Sequence, residues 1–275
     1  MSKEKSYFDN NGYAIYSNVF NQVEIQEFRD LVKRSLDEDL KLERAEFIDL
    51  GKKNVYYTHG DMIIKPISKL LFDKRIVNIA KEIIGDTPSY FGEGNYQVGV
   101  GDRGFHRDMV DEIVDGISTR KYLHGPDWKD SYKIIRIGVY LQDHDKFSGG
   151  VKLEKGSNKL PFNKGKRVLA DTKAGDVVVW DLRTYHSGNS VRLKLFPNLP
   201  LGCRIENILP DSFAIPEPKE RNSVFMVFGA DNKHLDRHIE KHYKVKFKKH
   251  ISQSNYPKDI FEKCLKAGIK FKKIN

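Results

Sequence analysis

The sequence predicts a mainly β fold with flanking helices, of the sandwich or barrel type. After Gly85, short runs rich in β-forming residues alternate with turn residues, which is typical of all-β domains. Before Gly85, the apolar residues follow helical spacing instead. The chain has 275 residues, of which 39% are hydrophobic and 11% aromatic, so it can bury a sizeable core.

Two helices are predicted in the first third of the chain, over residues 22–37 and 67–84. A turn at Asn10–Gly12 and a short strand precede them. One or two further helices are expected near the C-terminus, packed outside the β core. The predicted strands after Gly85 cover residues 90–91, 96–100, 134–142, 150–153, 167–170, 176–181 and 223–228.

Two polar stretches interrupt this pattern and are predicted to be long loops. They cover residues 109–133 and 190–220, and the second contains five prolines. Long ordered loops in a compact domain are often lids or binding elements. We therefore expect both loops to line or cover a binding site.

The positive charge is concentrated at the C-terminal end. Residues 233–275 contain thirteen Lys or Arg and four Asp or Glu, whereas the whole chain has a net charge of +10. We predict a domain over residues 1–232 and a basic, helical extension over residues 233–275. Such an extension either exposes a solvated helical face or meets nucleic acid, an acidic partner or a membrane surface.

A reducing, cytoplasmic location is expected from the two widely separated cysteines, Cys203 and Cys264. The first residues show no apolar run of the length a signal peptide needs. No stretch of the sequence is apolar for the roughly 18 residues that a membrane span requires. We therefore expect no membrane partner.

A candidate metal motif is the segment Phe105–Asp108. Residues two apart on an extended strand point to the same side, so His106 and Asp108 can face one ion. An imidazole and a carboxylate suit Fe(II), and a second histidine from elsewhere would complete a 2-His-1-carboxylate set with open positions. On its own, the motif is also compatible with a pair of surface residues.

Two further signals follow along the chain. Gly175 begins a turn before the apolar strand at residues 176–181, and His186 lies just beyond the end of that strand. Arg221 precedes the apolar strand at residues 223–228, where its guanidinium could bind a carboxylate in a bidentate manner. A hydrogen-bonded turn histidine and a surface salt bridge are the alternative interpretations.

Together these residues resemble the phytanoyl-CoA dioxygenase (PhyH)-like family of Fe(II)/2-oxoglutarate-dependent oxygenases. The resemblance runs from about residue 8 to residue 229, with similar segments at residues 137–143 and 148–158 and the closest match at residues 174–189. It implies a double-stranded β-helix, the cupin-type jelly roll. It also implies iron held by three catalytic ligands, which are His106, Asp108 and His186.

The resemblance further implies that Arg221 anchors 2-oxoglutarate and that Asn95 or Gln97 adds a polar contact to it. Two departures from the family pattern stand out. Lys155 and Asn158 replace the hallmark Pro and His, and Arg221 follows His186 by 35 residues, later than usual. We interpret residues 190–220 as an insertion. Arg192 and Arg204 remain alternative anchors.

The implied activity is hydroxylation of an unactivated C–H bond, with O2 and 2-oxoglutarate as cosubstrates and release of succinate and CO2. Asp108 favours hydroxylation over halogenation, because a carboxylate ligand occupies the position that chloride would take. We hypothesise a small anionic substrate from the basic residues of the two loops. The residues that motivate this are Arg120, Lys121, Trp128, Lys129, Lys133, Arg192 and Lys194.

Three other interpretations remain. The basic C-terminal segment interleaves aromatic and basic residues at 244–250 and 271–273, as in some nucleic-acid-binding proteins, although it contains no recognised groove-reading motif. A jelly roll that binds without catalysis is another. The third is a zinc or nickel site on one helical face, because His234, His238 and His242 repeat every four residues.

Overall fold

The computed structural model describes residues 1–49, 54–59, 62–99, 104–109, 126–159 and 165–274. Most of the first predicted loop, residues 110–125, lies outside the described residues. The hypothesised substrate contacts Arg120 and Lys121 fall in that part.

The described helices are α1 (Lys3–Asn11), α2 (Gln22–Lys41), α3 (Ser68–Leu71), α4 (Lys74–Ile84), α5 (Cys203–Ile208), α6 (Lys233–His238), α7 (Lys244–Lys246), α8 (Lys248–Ser252) and α9 (Ile260–Ala267). A π-helical segment, Ile239–Tyr243, joins α6 to α7. The strands are β1 (Tyr13–Tyr16), β2 (Glu46–Asp49), β3 (Asn54–His59), β4 (Ser89–Tyr90), β5 (Gly94–Gly99), β6 (Ile134–Tyr140), β7 (Lys152–Glu154), β8 (Arg167–Leu169), β9 (Val177–Asp181), β10 (His186–Ser187), β11 (Asn222–Gly229) and β12 (Lys270–Phe271).

Two sheets organise the described strands. The larger has the order β1-β9-β6-β11-β5-β3-β2, with β4 pairing with β11 and β12 pairing with β4. The smaller has the order β10-β7-β8. All pairs are antiparallel except β12 with β4. The prediction of a mainly β fold with flanking helices is confirmed.

Strand β9, between β1 and β6, shows how the core is divided. Val177 and Val179 pack in the large apolar cluster that includes Phe28 of α2. Val178 and Trp180 point to the other face, into a second cluster with side chains of the smaller sheet. Both faces of β9 are therefore buried, which explains its unbroken apolar sequence.

Between the two sheets, Gly138 of β6 leaves room for two large aromatic rings. A Cβ atom at Gly138 would lie 2.9 Å from a ring carbon of Trp180 and 3.0 Å from one of Phe225. Both rings line a cavity that also contains His106, Asp108 and His186, and it is named the main cavity here for that reason. A glycine here therefore sets the position of the rings that shape the cavity.

The helix predicted over residues 22–37 is confirmed as α2. The C-terminal segment contains four α-helices, α6 to α9, in place of the one or two predicted, and α5 lies within the second predicted loop. Two further predictions change. The helix expected over residues 67–84 is two helices, because the Asp73 side chain accepts a hydrogen bond from the Arg75 backbone N–H and begins α4 anew. The Asn10–Gly12 turn is the end of α1, which closes on Gly12 at φ +80°. The strands β2 and β3 were not predicted.

The C-terminal segment packs against the β core. Tyr243 and Phe247 join an apolar cluster with Phe91, and the Phe271 ring stacks on Tyr90 at 6.5 Å. Two of the aromatic residues expected to serve a nucleic-acid surface thus contact the core. Within the described ranges, no helix is long and apolar enough to cross a membrane. The division of the chain at residue 232 stays a prediction.

We expect Gly138→Ala to destabilise the protein by about 1–3 kcal/mol, because the added methyl overpacks Trp180 and Phe225. Urea unfolding measures the change. Gly202→Ala is the matched control, since a Cβ there would meet only an Arg167 side-chain nitrogen at 3.6 Å. A Gly138→Ala protein as stable as the wild type would contradict this account of the cavity.

Candidate active site

The backbone places two histidines side by side. His106 and His186 form an antiparallel bridge, in which His106 N donates to His186 O at 2.8 Å and His186 N donates to His106 O at 3.0 Å. Directly paired residues on antiparallel strands project their side chains to the same face. The two imidazole centroids consequently lie 4.4 Å apart.

In each histidine, a hydrogen bond from Nδ1 to the carbonyl oxygen two residues earlier orients the ring. His106 Nδ1 lies 2.9 Å from the Gly104 carbonyl oxygen, and His186 Nδ1 lies 3.0 Å from the Thr184 carbonyl oxygen. A carbonyl oxygen only accepts, so Nδ1 carries the proton in both rings. In a neutral ring Nε2 then carries the lone pair, and a hydrogen-bonded Nδ1–H is the usual support for a metal-binding histidine.

Asp108 brings a carboxylate to both Nε2 atoms. Its Oδ1 is 3.5 Å from His106 Nε2, and its Oδ2 is 3.3 Å from His186 Nε2. Asp108 follows His106 by two residues and is held by a bond from its backbone N–H to Leu182 O at 3.0 Å. Its buried Oδ2 has no well-aligned hydrogen bond within the described residues. This arrangement fits a cation that completes the carboxylate's coordination.

The charges at the cluster also suit a cation. Burial opposes ionisation of Asp108, but Arg136 and the imidazoles outweigh it and hold the pKa of its carboxyl well below its usual range. Burial lowers the pKa of His186 to about 4, so this ring is neutral at pH 7. An ionised carboxylate and a neutral imidazole are the protonation states that metal binding requires. Burial opposes protonation of His106, but the Asp108 carboxylate outweighs it and raises the pKa of this ring, so a cation would compete with a proton there.

Arg136 was not foreseen as a site residue. Its Nη1 lies 3.2 Å from Asp108 Oδ2, and its Nη2 donates to Glu93 Oε1 at 3.0 Å. The one signal in the sequence is a charged residue within the otherwise apolar strand β6. Its partner Glu93, just before β5, carries no comparable signal.

The cluster opens into a cavity of about 260 Å³ that also contains the expected cosubstrate residues. Asn95 and Gln97 both line it, because they are two residues apart on β5 and so share a face. Arg221 lines it from the start of β11, is 3% exposed, and donates to the carbonyl oxygens of Gly149 and Gly99, each at 3.0 Å. The structure thus brings all six predicted site residues to one cavity.

The alternative anchors lie elsewhere. Arg192 is buried in an ion pair with Asp171 and donates to the Pro197 carbonyl oxygen. Arg204 is exposed on α5. Neither lines the cavity that holds the cluster.

The basic loop residues that motivated the anionic-substrate hypothesis are also placed elsewhere, as far as the structure describes them. Trp128, Lys129 and Lys133 line a second cavity. Lys194 lines a third. The lysine that does line the main cavity is Lys246, which comes with Phe247 from the C-terminal segment. Neither Lys246 nor Phe247 was singled out as a site residue.

Sequence comparison finds a distant relative among characterised enzymes. Ectoine dioxygenase of Nocardia farcinica (strain IFM 10152) is 23% identical over 261 residues, which cover 79% of this chain and 83% of that protein. No protein-family model matches the chain, so the phytanoyl-CoA dioxygenase family stays a resemblance.

Solved structures share the fold. The α-ketoglutarate-dependent epimerase SnoN from nogalamycin biosynthesis aligns with a TM-score of 0.57 at 16% identity, over 82% of this chain and 80% of its own. HygX from Streptomyces hygroscopicus, with nickel and 2-oxoglutarate bound, aligns with a TM-score of 0.53 at 16% identity, over 84% of this chain and 88% of its own. EctD from S. alaskensis, with 2-oxoglutarate and 5-hydroxyectoine, aligns with a TM-score of 0.55 at 16% identity, over 84% of this chain and 76% of its own. The predicted jelly-roll fold is confirmed.

We expect Arg136→Leu to cost about 3 kcal/mol of unfolding free energy at pH 7, because two buried carboxylates lose their shared cation. Both carboxyl pKa values are depressed in the folded state, that of Glu93 to about 2. The loss of unfolding free energy in Arg136→Leu should therefore be largest above the pKa of the unfolded carboxyls, about 4, and should become smaller as the pH falls below that value. Urea unfolding at pH 7 and pH 3 tests this.

The control is Lys69→Leu, which removes an ion pair with Glu27 in which both side chains are exposed. It should cost under about 1 kcal/mol. An Arg136→Leu protein with wild-type stability at pH 7 would show that Arg136 does not stabilise the cluster.

Proposed function

We propose that this protein is an Fe(II)- and 2-oxoglutarate-dependent oxygenase that hydroxylates a small molecule, with His106, Asp108 and His186 as iron ligands. The observation that carries the proposal is the convergence of two Nε2 atoms on one buried, incompletely bonded carboxylate. The potential ligand atoms all lie within 4.8 Å of one another. The distant relative and the fold of the structural neighbours support the same activity.

The donor set fits Fe(II), because two imidazoles and one carboxylate leave coordination positions open. Bound iron would supply the O2 chemistry, coupled to conversion of 2-oxoglutarate into succinate and CO2. The protein's part is to hold the ligands, orient 2-oxoglutarate and shield the reacting atoms from water. His106 is the more exposed of the two histidines that would hold the iron, with 51% of its side chain accessible, whereas His186 is buried.

Arg221 is the proposed anchor for the distal carboxylate of 2-oxoglutarate. Its guanidinium is buried, held by two backbone carbonyls, and lines the same cavity as the metal cluster. A buried, oriented guanidinium binds a carboxylate more strongly than a solvated one. Asn95 and Gln97 are proposed to add polar contacts from β5.

We propose that the substrate is small and carries an anionic group. The cavity of about 260 Å³ is slightly smaller than the range of about 300–1,000 Å³ that is usual for ligand pockets. Lys246 lines it beside Phe247, so an ammonium group and an apolar ring flank the substrate region. Ectoine is the first compound to test, because the distant relative is an ectoine dioxygenase.

The competing functions have less support. A nucleic-acid surface needs exposed aromatic platforms, whereas Phe247 is buried in the apolar cluster. A non-catalytic jelly roll has no need of oriented histidines around an ionised carboxylate. We propose a cytoplasmic location, because the sequence has only two cysteines and they are 61 residues apart, which is not the pattern of a disulfide framework.

We expect His186→Ala to lower 2-oxoglutarate turnover on the order of 100-fold or more, because a ligand is lost. Arg221→Gln should raise the KM for 2-oxoglutarate about 10- to 100-fold, since a charge-assisted bond is worth about 1.5–3 kcal/mol. Succinate release with Fe(II) and O2 is the measurement.

Arg204→Gln is the control for Arg221, because Arg204 belongs to the same stretch of chain and is exposed. It should leave the KM unchanged. If both Arg221→Gln and His186→Ala retained wild-type succinate release, the proposed oxygenase site would be wrong.

We expect Lys246→Glu to reduce kcat/KM for anionic compounds about 10-fold or more relative to neutral analogues, because it places a like charge in the cavity. The probes are ectoine, small carboxylates and phosphate esters. Lys248→Glu is the matched control, since Lys248 is exposed and does not line the cavity. An unchanged preference in Lys246→Glu would argue against an anionic group at this position.

A further inference from the structure

A second buried cluster has the same donor types as the proposed iron site. Glu93, His238 and His242 offer one carboxylate and two imidazoles, and their potential ligand atoms all lie within 4.8 Å of one another. The three residues are 3%, 0% and 5% exposed. The carboxylate belongs to the segment before β5, while both histidines belong to the C-terminal segment.

The cluster differs from the three-histidine site that the sequence pattern suggested. His234 turns away, with Nδ1 2.8 Å from Asp127 Oδ1 and Nε2 2.9 Å from Ser131 Oγ. Glu93, which is 145 residues before His238 in the chain, takes its place. The carboxylate that the sequence did not offer is thus supplied by the fold.

Local geometry brings the two histidines together. His238 ends α6, and His242 lies four residues later in the π-helical segment. Their rings stack at a centroid distance of 4.9 Å and an interplanar angle of 20°. Helical residues four apart share a face, and π-helical turns occur frequently at functional sites.

Two of the three donors, Glu93 and His242, have the protonation states that cation binding requires. Burial opposes ionisation of Glu93, but the charges of His238 and Arg136 outweigh it and lower its pKa to about 2. Burial, assisted by the charge of His238, lowers the pKa of His242 to about 4. Glu93 is thus a carboxylate, and His242 a neutral imidazole, at pH 7.

Hydrogen bonding leaves the cluster incomplete. His238 Nε2 lies 2.7 Å from Glu93 Oε2, but its buried Nδ1 has no hydrogen-bond partner within the described residues. A buried polar atom without a partner is costly. A simple ion pair therefore does not account for all the polar atoms that the fold brings here.

Arg136 gives this cluster the same outer support as the first. Its Nη2 holds Glu93 Oε1 at 3.0 Å, which leaves Oε2 on the side of the histidines. Hydrogen bonds from such outer residues orient the ligands of metal sites. Arg136 thus stands between two sets of two histidines and one carboxylate, contacting Asp108 in one and Glu93 in the other.

We propose that Glu93, His238 and His242 form a second divalent-cation site that fastens the C-terminal segment to the β core. Zn²⁺ is the ion class that fits, since two imidazoles and one carboxylate form a known zinc ligand set with one open position. Glu93 lines the main cavity, as do Lys246 and Phe247, which follow His242, so the ion would hold the wall that faces the substrate.

The test is metal stoichiometry on the full chain, stripped with a chelator and titrated with Co²⁺, with Zn²⁺ as competitor. The wild type should bind two equivalents. His242→Ala should bind one, and Asp108→Ala should also bind one, because each variant loses a different site. His250→Ala is the matched control, a half-buried histidine in the same segment, and should still bind two.

Circular dichroism checks the fold of each variant, and Glu93→Gln provides an independent loss of the second site should His242→Ala fail to fold. A wild type that binds one equivalent, which is lost in Asp108→Ala and kept in His242→Ala, overturns the proposal. So does retention of two equivalents in both His242→Ala and Glu93→Gln. Asp108→Ala removes only the proposed iron site, and His242→Ala removes only the second site. Comparing the two variants therefore shows which of the two sites does not bind metal.

Discussion

The pair of backbone hydrogen bonds between His106 and His186 is the constraint on which the site depends. These residues are 80 positions apart in the chain, and the bridge sets their rings 4.4 Å apart. Asp108 lies two residues after His106 on extended chain, so its side chain points to the same side as that of His106. Because the bonds are made by the main chain, the site is built before any ion arrives, and metal binding energy need not organise it.

Electrostatics links this site to the rest of the molecule through Arg136. One guanidinium contacts the Asp108 and Glu93 carboxylates, and Glu93 in turn contacts His238 of the C-terminal segment. The segment that carries most of the chain's excess positive charge therefore closes one side of the cavity. Its Lys246 lines the cavity, and most of the lysines of this segment, Lys246 included, are exposed to solvent.

Local patterns predicted what depends on local chemistry. The helical spacing of α2, the apolar run of β9 and the His106–Asp108 motif were each readable, because each reflects a short-range period. Resemblance to a family added His186 and Arg221, whose meeting with His106 depends on strand pairing far apart in the chain. Glu93 and Lys246 could not be found in this way, since nothing near them in sequence marks the cavity they share.

The most direct test of the central claim is anaerobic addition of Fe(II) and 2-oxoglutarate, monitored by visible absorption. When a 2-His-1-carboxylate site binds both, a charge-transfer band is expected, and it should appear in the wild type and be lost in His106→Ala. Absence of the band in the wild type, or an undiminished band in His106→Ala, would contradict the assignment of His106, Asp108 and His186 as iron ligands.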